Sequence, residues 1–387
     1  MYIVGQLKDS ISGILSGVNL NNVTNLNGAI ERAARTLVQK ADIPEATGRQ
    51  IYTVYDGVYD YAAPTTIFGG ALLDFRPQGD SRTMVDFVYK KPIEMFDRTK
   101  AILPNGAMLT FEYSKGTGRV RIVSTRNRIK ATIDNFTDKT DWTAGGNTGT
   151  LYDDETDYYQ SPQSIRFNVS AGGSQATLAR TLDSEIDLTE YEGVGVGFLA
   201  VKLPAATAIT SIGVQIGNDA SNYWSVSNTT GFLGAWNANE WTLIKLDLST
   251  ATTTGTVDAS AIDYCKVFLN YDGTALTNVR VGGLWFSLPS SYEMIFQSAA
   301  IFMAGTTPSQ TITDDNDSIL LNDAAYTLFE YEGALAVLQQ SGGTLSSPMA
   351  QTIKAVLHGQ GNDIGLYAHY RSNNPSDAVR TVGSYYD

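Results

Sequence analysis

The stretch WNANEWTLIKLDLS, residues 236–249, alternates two kinds of side chain along its second half. One set of alternate positions is apolar and forms a face suited to a core, namely Thr242, Ile244, Leu246 and Leu248. A period of two predicts a half-buried β-strand. The opposite face carries Lys245 and Asp247, which favour water, and also Trp241. An indole on that side is either covered by another part of the chain or forms a contact surface.

Similar stretches recur through residues 131–290 and predict further short strands. They read SIRFNVS, VGVGFLAVKLP, SIGVQIGND, YWSVS, CKVFLNYDG and VRVGGLWFSL. Gly, Asn, Asp and Ser turns separate them, and the segment shows no helical period of useful length. So many short strands in one segment predict an all-β sandwich or jelly roll.

A change in composition marks the limits of this segment. All five tryptophans and the single cysteine, Cys265, lie within 131–290. We therefore predict a multidomain α+β protein, in which residues 1–130 and 291–387 form one α+β body. The segment 131–290 is then an inserted β-sandwich of the jelly-roll type. The two ends of an inserted domain usually lie close together, which makes this topology simple to build.

Helix signals occur only in the outer segments. An apolar helical face begins after Thr24 or Asn25 as a cap and ends before Pro44. The residues before it look like an exposed leader. In the C-terminal segment, caps and stops at Asn322, Gly342, Ser347 and Gly359 predict two helices, and IGLYAHYRS predicts a short third one.

The helix after Asn322 has more apolar surface than one packing face needs. Its main stripe is formed by Leu328, Tyr331, Leu335 and Leu338. Tyr326 and Phe329 lie off this stripe. We predict that these two residues form an assembly interface with a neighbouring subunit.

Charge and cysteine content exclude several classes of protein. The net charge is −13, and residues 131–290 carry 7 basic against 18 acidic side chains, so binding of nucleic acid is not expected. A single cysteine forms no intramolecular disulfide, and Cys265 lies in an alternating stretch typical of a buried thiol. Lys8 and Asp9 interrupt the first residues, and no long apolar run follows, so we expect neither a secretion signal nor a membrane span.

Signals for catalysis or metal binding are weak. The two histidines, His358 and His369, do not have zinc-site spacing, and neither GxSxG nor a phosphate-binding loop occurs. The acidic stretches DDETD (153–157) and DDNDS (314–318) could hold a hard cation, but Ile319 and Ala325 replace the glycine and glutamate of an EF-hand. We therefore predict no catalytic residues, no metal site and no cofactor. The 40 acidic residues leave a glycosidase pair open.

Aromatic side chains are the remaining functional signal. Planar rings on a rigid sheet can stack on the apolar C–H faces of sugars while nearby polar groups bind hydroxyls. The candidates for a glycan or partner contact are Tyr223, Trp224, Trp236 and Trp241. The alternative is that these rings belong to the sandwich core, because tryptophan is usually largely buried. Trp285 is predicted to be a core residue.

The segment 131–290 resembles a jelly roll of the carbohydrate-binding-module type. The similar stretches are IDNFTDKTDW, SPQSIRFNVS, NEWTLIKLDLS, DASAIDYCKVFL and VRVGGLWF. Such modules often begin with D-x-F-x-D, matched here by Asp134, Phe136 and Asp138. The closing strand departs from that pattern, because Gly282 and Gly283 stand where an acid is expected. A calcium site is therefore not carried over.

The outer segments resemble structural proteins of tailed-bacteriophage particles. The similar stretches are AIERAARTLVQKADIPEA, YDGVYDYAAP, LLDFRPQGDSR and NPSDAVRTVGSYYD. The resemblance implies a virion protein of the neck, head–tail connector or tail, assembled in the bacterial host cytoplasm. Its partners would be other virion proteins and itself, in a symmetric homo-oligomer. The sandwich would decorate the particle surface and contact host-surface glycans. A glycan-binding adhesin or receptor-binding protein is the alternative, followed by a cryptic glycoside hydrolase.

Overall fold

The computed structural model of the chain describes residues 2–18, 23–41, 43, 45–78, 109–114, 119–124, 131–159, 162–342, 347–361 and 363–373. The chain forms two compact units. Unit 1 comprises Met1–Tyr52, Ala62–Arg121 and Ser291–Asp387, and unit 2 comprises Thr53–Tyr61 and Ile122–Ser290. Most of the regular structure is β-sheet, with a few helices. The arrangement as an inserted domain with limits at 131 and 290 stays a prediction.

The N-terminal part of the chain alternates helices and strands. Its elements are β1 (Tyr2–Ile3), α1 (Val4–Ile14), α2 (Leu26–Lys40), β2 (Thr47–Val54), β3 (Asp60–Ala62), β4 (Ile67–Pro77), β5 (Leu109–Ser114) and β6 (Arg119–Ser124). The stretch MVDFVYKK, residues 84–91, alternates and predicts a further strand, but it lies outside the described residues. So do Arg126, Arg128 and Lys130, which the sequence predicts as a solvated face or a contact with an acidic neighbour, with a DNA-facing strip as the alternative, and the C-terminal stretch 374–387.

The first helix corrects the prediction of an exposed leader. Val4, Leu7 and Ile11 of α1 are fully buried in unit 1, because their spacing places them on one helical face. The second helix is confirmed. Asn25 caps α2 by accepting a hydrogen bond from the Gly28 backbone N–H at 2.8 Å, and Ile30 lies on its buried face as predicted.

The middle of the chain consists of short strands. They are β7 (Ala131–Asp134), β8 (Thr143–Gly146), β9 (Tyr152–Asp154), β10 (Ser164–Val169), β11 (Gln175–Ile186), β12 (Val196–Lys202), β13 (Ile209–Asp219), β14 (Asn222–Asn228), β15 (Trp241–Asp247), β16 (Thr252–Thr254), β17 (Ile262–Tyr271) and β18 (Leu276–Ser287). Every strand predicted within 131–290 is present. Strand β11 and the four short strands β7, β8, β9 and β16 were not predicted from the sequence.

These strands form two antiparallel sheets. Sheet 1 has the order β15-β12-β18-β10-β9, with β7 paired to β18, and sheet 2 has the order β16-β14-β13-β17-β11-β8. One apolar core lies between them. Ile244 and Leu199 from sheet 1 and Val214 and Cys265 from sheet 2 all belong to this core. Each sheet therefore has one face in the core and one outward face, as in a β-sandwich.

The D-x-F-x-D stretch at the start of the sandwich has a structural role. Asp134 is buried, accepts a hydrogen bond from the Phe136 backbone N–H and pairs with Arg180. The Phe136 ring is fully buried and stacks on Trp142, with ring centroids 4.6 Å apart. Asp138 caps a short 3-10 turn by accepting a hydrogen bond from the Thr140 backbone N–H at 2.8 Å. The stretch thus ties the entry of the sandwich to its core.

The C-terminal part of the chain returns to mixed structure in unit 1. Its elements are β19 (Ser290–Ser298), β20 (Phe302–Ala304), β21 (Thr307–Ser309), β22 (Ser318–Ile319), α3 (Asp323–Gln340), α4 (Pro348–His358) and α5 (Leu366–Asn373). The predicted caps are confirmed: Asn322 accepts from the Ala325 backbone N–H at 2.9 Å, and Ser347 caps α4. Gly359 ends α4 with a φ of 84°, a conformation that favours glycine. No helix among the described residues has the length and apolar character needed to cross a bilayer.

The predicted assembly interface on α3 is wrong. Phe329 is 0% exposed and lies beside Phe302 of β20, with ring centroids 6.1 Å apart. Tyr326 is also buried, and it stacks on Tyr2 at 3.7 Å. The extra apolar surface of α3 faces its own unit, because α1, α2 and α4 all pack against this helix. The sequence predicts an exposed leader where β1 and α1 lie, so it leaves this surface of α3 without the elements that cover it.

Candidate functional site

Trp241 lies on the outward face of sheet 1 and is covered by the loop after β9. Its indole N–H donates a hydrogen bond to the Asp157 carboxylate at 2.8 Å, and the Tyr159 ring lies 6.0 Å away. A Cβ added at Gly282 of β18 would lie 3.0 Å from the indole, so the ring packs closely over that glycine. Trp241 is therefore half-buried, with the loop after β9 and Gly282 against its ring.

Another part of this outward face is covered by residues 53–61 of unit 2. Phe198 is fully buried there, with the Tyr55 ring 5.0 Å from its own. Trp285 is 1% exposed, and its indole N–H donates to the Asp56 carbonyl oxygen at 2.9 Å. Its burial was predicted, but the ring lies under these residues and not between the two sheets. Sheet 1 thus offers little open aromatic surface.

The acidic stretch 153–157 is paired with cations at one end of sheet 1. Asp154 accepts from Arg280 Nε at 2.8 Å, and Asp157 accepts from Lys202 Nζ at 2.7 Å. Burial raises the pKa of Asp154, but hydrogen bonds from Thr156 and Arg280 outweigh it and lower the pKa to about 2. The pKa of Asp157 is lowered as well. A glycosidase general acid needs a raised pKa, so this pair does not supply one.

Asp154 makes the stability of unit 2 depend on pH. Its pKa lies below the ordinary value of 3.8, so its contribution is present above pH 3.8 and is lost as the pH falls through about 2. We expect Asp154→Asn to lower the free energy of unfolding by about 2 kcal/mol at pH 7. Urea unfolding at pH 7, 4 and 2.5 should show the difference from wild type shrinking below pH 4.

The neighbouring Asp153 is the matched control for this experiment. Its side chain is exposed and pairs with Lys139 at 3.5 Å, so Asp153→Asn should cost less than about 1 kcal/mol. Equal effects of the two substitutions, or a difference for Asp154→Asn that persists unchanged at pH 2.5, would contradict the assignment. Among the described residues, no group of three or more potential ligands could hold a metal ion.

The outward face of sheet 2 carries two tyrosines. Tyr223 of β14, Gly217 of β13 and Tyr264 of β17 stand side by side in one cross-strand row. Both tyrosines are half-buried. They lie two strand spacings apart, or about 10 Å between Cα atoms. Burial, followed by the neighbouring Cys265 and Tyr223, raises the pKa of Tyr264, so its phenol is a neutral donor at pH 7.

Two glycines make the floor of this face flat. A Cβ added at Gly217 would come within 2.0 Å of the Asn222 carbonyl oxygen, so the β14 backbone leaves no room for a side chain between the two tyrosines. A Cβ added at Gly213 would come within 2.4 Å of the Phe268 ring, so that ring lies across the glycine. The cross-strand row between those of Gly213 and Gly217 consists of Ser225, Gln215 and Lys266. We call the outward surface formed by Tyr223, Gly217, Tyr264, Ser225, Gln215 and Lys266 the Tyr223 face.

The structure does not bring the four predicted aromatic contacts together. Trp224 is 8% exposed and Trp236 is 9% exposed, and both belong to the sandwich core. Trp224 faces inward because it alternates with Tyr223 along β14. Trp241 lies on the other sheet. The predicted exposure of Trp224 and Trp236 is corrected, and Tyr223 is the one candidate on the outward face of sheet 2.

Sequence reasoning missed Tyr264, Gln215 and Lys266. Each lies in a stretch predicted as a strand, and alternation alone assigns each to the face opposite the apolar residues. The missing information is the pairing of β14, β13 and β17, which places these residues beside Tyr223. Cys265 is buried as predicted, and burial raises the pKa of its thiol, which excludes a reactive thiolate.

Comparisons with known proteins give matches in structure alone. No protein-family model and no curated protein matches the sequence. A family 30 carbohydrate-binding module of a cellulosomal cellulase of Clostridium thermocellum is 18% identical, with 42% of this chain and 97% of that chain covered and a TM-score of 0.30. A family 11 carbohydrate-binding module from Clostridium thermocellum, in complex with a mixed-linked tetrasaccharide, is 13% identical, with 41% and 94% covered and a TM-score of 0.29.

A bacteriophage protein is also among the similar structures. The enzymatically active domain of bacteriophage CBA120 tailspike protein 4 is 14% identical, with 40% of this chain and 20% of that chain covered and a TM-score of 0.26. The structural neighbours thus include carbohydrate-binding β-sandwich modules and a phage tailspike domain. TM-scores of this size carry no argument about what the chain binds.

Proposed function

We propose that the β-sandwich of unit 2 is a glycan-binding module whose ligand lies on the Tyr223 face. The observation that carries this proposal is the row of Tyr223, Gly217 and Tyr264 on an outward sheet face. Two aromatic rings on either side of a residue without a side chain offer apolar surfaces for the C–H faces of successive sugars. The polar side chains of Ser225 and Gln215 are placed to bind hydroxyls, and such a mixture is typical of ligand sites.

The contrast between the two outward faces supports this choice of surface. On sheet 1, Phe198 and Trp285 are covered by residues 53–61. On sheet 2, Thr252 and Thr254 of the edge strand β16 are exposed, and the tyrosines stay half-buried. Strand backbones hold the row rigidly, so little ordering is needed when a ligand binds.

The test is affinity electrophoresis of the full chain against a panel of soluble polysaccharides. We expect Tyr223→Ala and Tyr264→Ala each to weaken binding about 10- to 100-fold, the range for an aromatic anchor worth about 1–3 kcal/mol. The melting temperature should change little, because both side chains are half-buried.

Tyr152→Ala is the matched control, because Tyr152 is a 42% exposed tyrosine on β9 of sheet 1. An equal loss of affinity in this variant would place the ligand elsewhere. Failure of every polysaccharide to bind would end the proposal. Release of reducing ends during the assay would favour the glycoside hydrolase alternative over a binding module.

We further propose that the chain is a structural component of a tailed-phage particle, in the neck, head–tail connector or tail. The support is the resemblance of the outer segments stated above. The alternative is a free glycan-binding adhesin. Mass spectrometry of purified particles, together with light scattering of the isolated chain, separates the two. A monomeric chain that is absent from particles would contradict the structural role.

A further inference from the structure

Lys266 differs from the other cations of the sandwich segment. Residues 131–290 contain seven basic side chains, and six of them lie within 4.0 Å of a carboxylate: Lys139 with Asp153, Arg166 and Arg280 with Asp154, Arg180 with Asp134, Lys202 with Asp157, and Lys245 with Asp247. The seventh is Lys266, and no carboxylate of the described residues lies within 4.0 Å of it. This is unusual in a segment with 18 acidic residues, where a carboxylate is available to most cations.

The surroundings of Lys266 are uncharged. Strand register places it in the row Ser225–Gln215–Lys266–Ala179. The rows on either side are Tyr223–Gly217–Tyr264–Thr181 and Ser227–Gly213–Phe268–Thr177. None of these rows contains an acidic residue. Lys266 therefore stands as a half-buried positive charge in the middle of the Tyr223 face.

A half-buried ammonium without a counterion loses hydration and gains little in return. A bound anion would supply the missing partner. Lys266 is two residues along β17 from Tyr264, or about 7 Å, which matches the reach from a stacked sugar ring to an acidic substituent. Gln215 lies one strand spacing away, about 5 Å, and its amide N–H can donate to the same anion.

We propose that the Tyr223 face selects an acidic glycan, whose carboxylate pairs with Lys266 while its sugar ring stacks on a neighbouring tyrosine. This inference rests on the proposed glycan-binding function and names its ligand class. The face has one cation, which matches the single charge of a carboxylated sugar. A sulfate or phosphate ester has the same sign of charge, so the test includes such a polymer.

The experiment compares polymers that share a backbone and differ in charge. The pairs are polygalacturonate with its methyl ester, glucuronoxylan with xylan freed of uronate, and dextran sulfate with dextran, titrated against the full chain by calorimetry. We expect the acidic member of at least one pair to bind about tenfold more tightly or better, because a hydrogen bond to a charged group is stronger than one between neutral groups. Added salt should reduce this preference.

Variants assign the preference to one side chain. Lys266→Met keeps the aliphatic stem and should bring the two members of a pair to equal affinity, and Lys266→Arg should retain the preference. Lys245→Met is the control, because Lys245 is paired with Asp247 on sheet 1 and should not affect the ratio.

The outcomes distinguish failure of the acidic-glycan proposal from failure of the glycan-binding proposal. Equal affinity for acidic and neutral polymers, with loss of both in Tyr223→Ala, overturns the acidic selection and leaves glycan binding in place. An unchanged preference in Lys266→Met also overturns it. Tighter binding of a sulfated or phosphorylated polymer than of any uronate overturns the carboxylate assignment. Absence of binding to every polymer overturns both proposals together.

Discussion

Phe329→Ala is expected to lower the free energy of unfolding of unit 1 by about 3–5 kcal/mol, the usual cost of removing a buried phenylalanine. The side chain is fully buried, and its ring lies 6.1 Å from that of Phe302. Truncation removes apolar burial and leaves a cavity that α1, α2 and α4 around the helix can only partly fill. Urea unfolding, monitored by far-ultraviolet circular dichroism, should show the loss as a lower midpoint.

Tyr331→Ala on the same helix is the control. Tyr331 is only partly buried against the same core, so its truncation should cost clearly less. If Phe329→Ala unfolded at the wild-type midpoint and lost only self-association, the result would support the assembly interface predicted from the sequence. It would contradict the buried position of Phe329 described here.

Asp134→Ala is expected to destabilise unit 2 by about 3–5 kcal/mol, because it removes one partner of a buried ion pair. Asp134 is 7% exposed, and Arg180 has its other carboxylate contacts at 3.3 Å with Asp141 and 3.2 Å with Asp183. Those two acids are more exposed and compensate only in part. The substitution also removes the acceptor of the Phe136 backbone N–H, at a residue with a φ of 56°.

Asp138→Ala, in the same stretch of sequence, is the matched control. Asp138 is exposed and caps a single turn, so its loss should cost about 1 kcal/mol. Thermal melting of both variants at pH 7 distinguishes the roles of the two aspartates. If Asp138→Ala were the more damaging substitution, the stability of this stretch would come from the turn and not from the buried pair.

Features set by neighbours in sequence were predictable. The sandwich strands follow from alternation, and the caps at Asn25, Asn322 and Ser347 follow from side chains that bond to their own helix. Helix α1 was missed although Val4, Leu7 and Ile11 have helical spacing. It begins after Ile3, which makes no side-chain cap, so the sequence lacks the usual signal for a helix start.

Features set by residues far apart in sequence were not predictable. Alternation showed that Trp241 lies opposite Ile244, but not that Asp157 and Gly282 would cover it. In the same way, Tyr264 and Lys266 could be assigned to an outward face. Their position beside Tyr223 depends on which strands pair, and that order comes from packing of the whole core.

The cover of sheet 1 by residues 53–61 sets an order for folding. The hydrogen bond from Trp285 to Asp56 connects two residues that are 229 positions apart in the chain. Closing a loop of that length costs about 5 kcal/mol of chain entropy. During synthesis, residues 53–61 cannot form their contacts with Trp285 until β18 has left the ribosome. Until then Phe198 presents an uncovered aromatic surface to solvent. A nascent chain stopped before β18, or a fragment that begins after residue 61, therefore exposes a surface of the kind that chaperones bind and that drives aggregation.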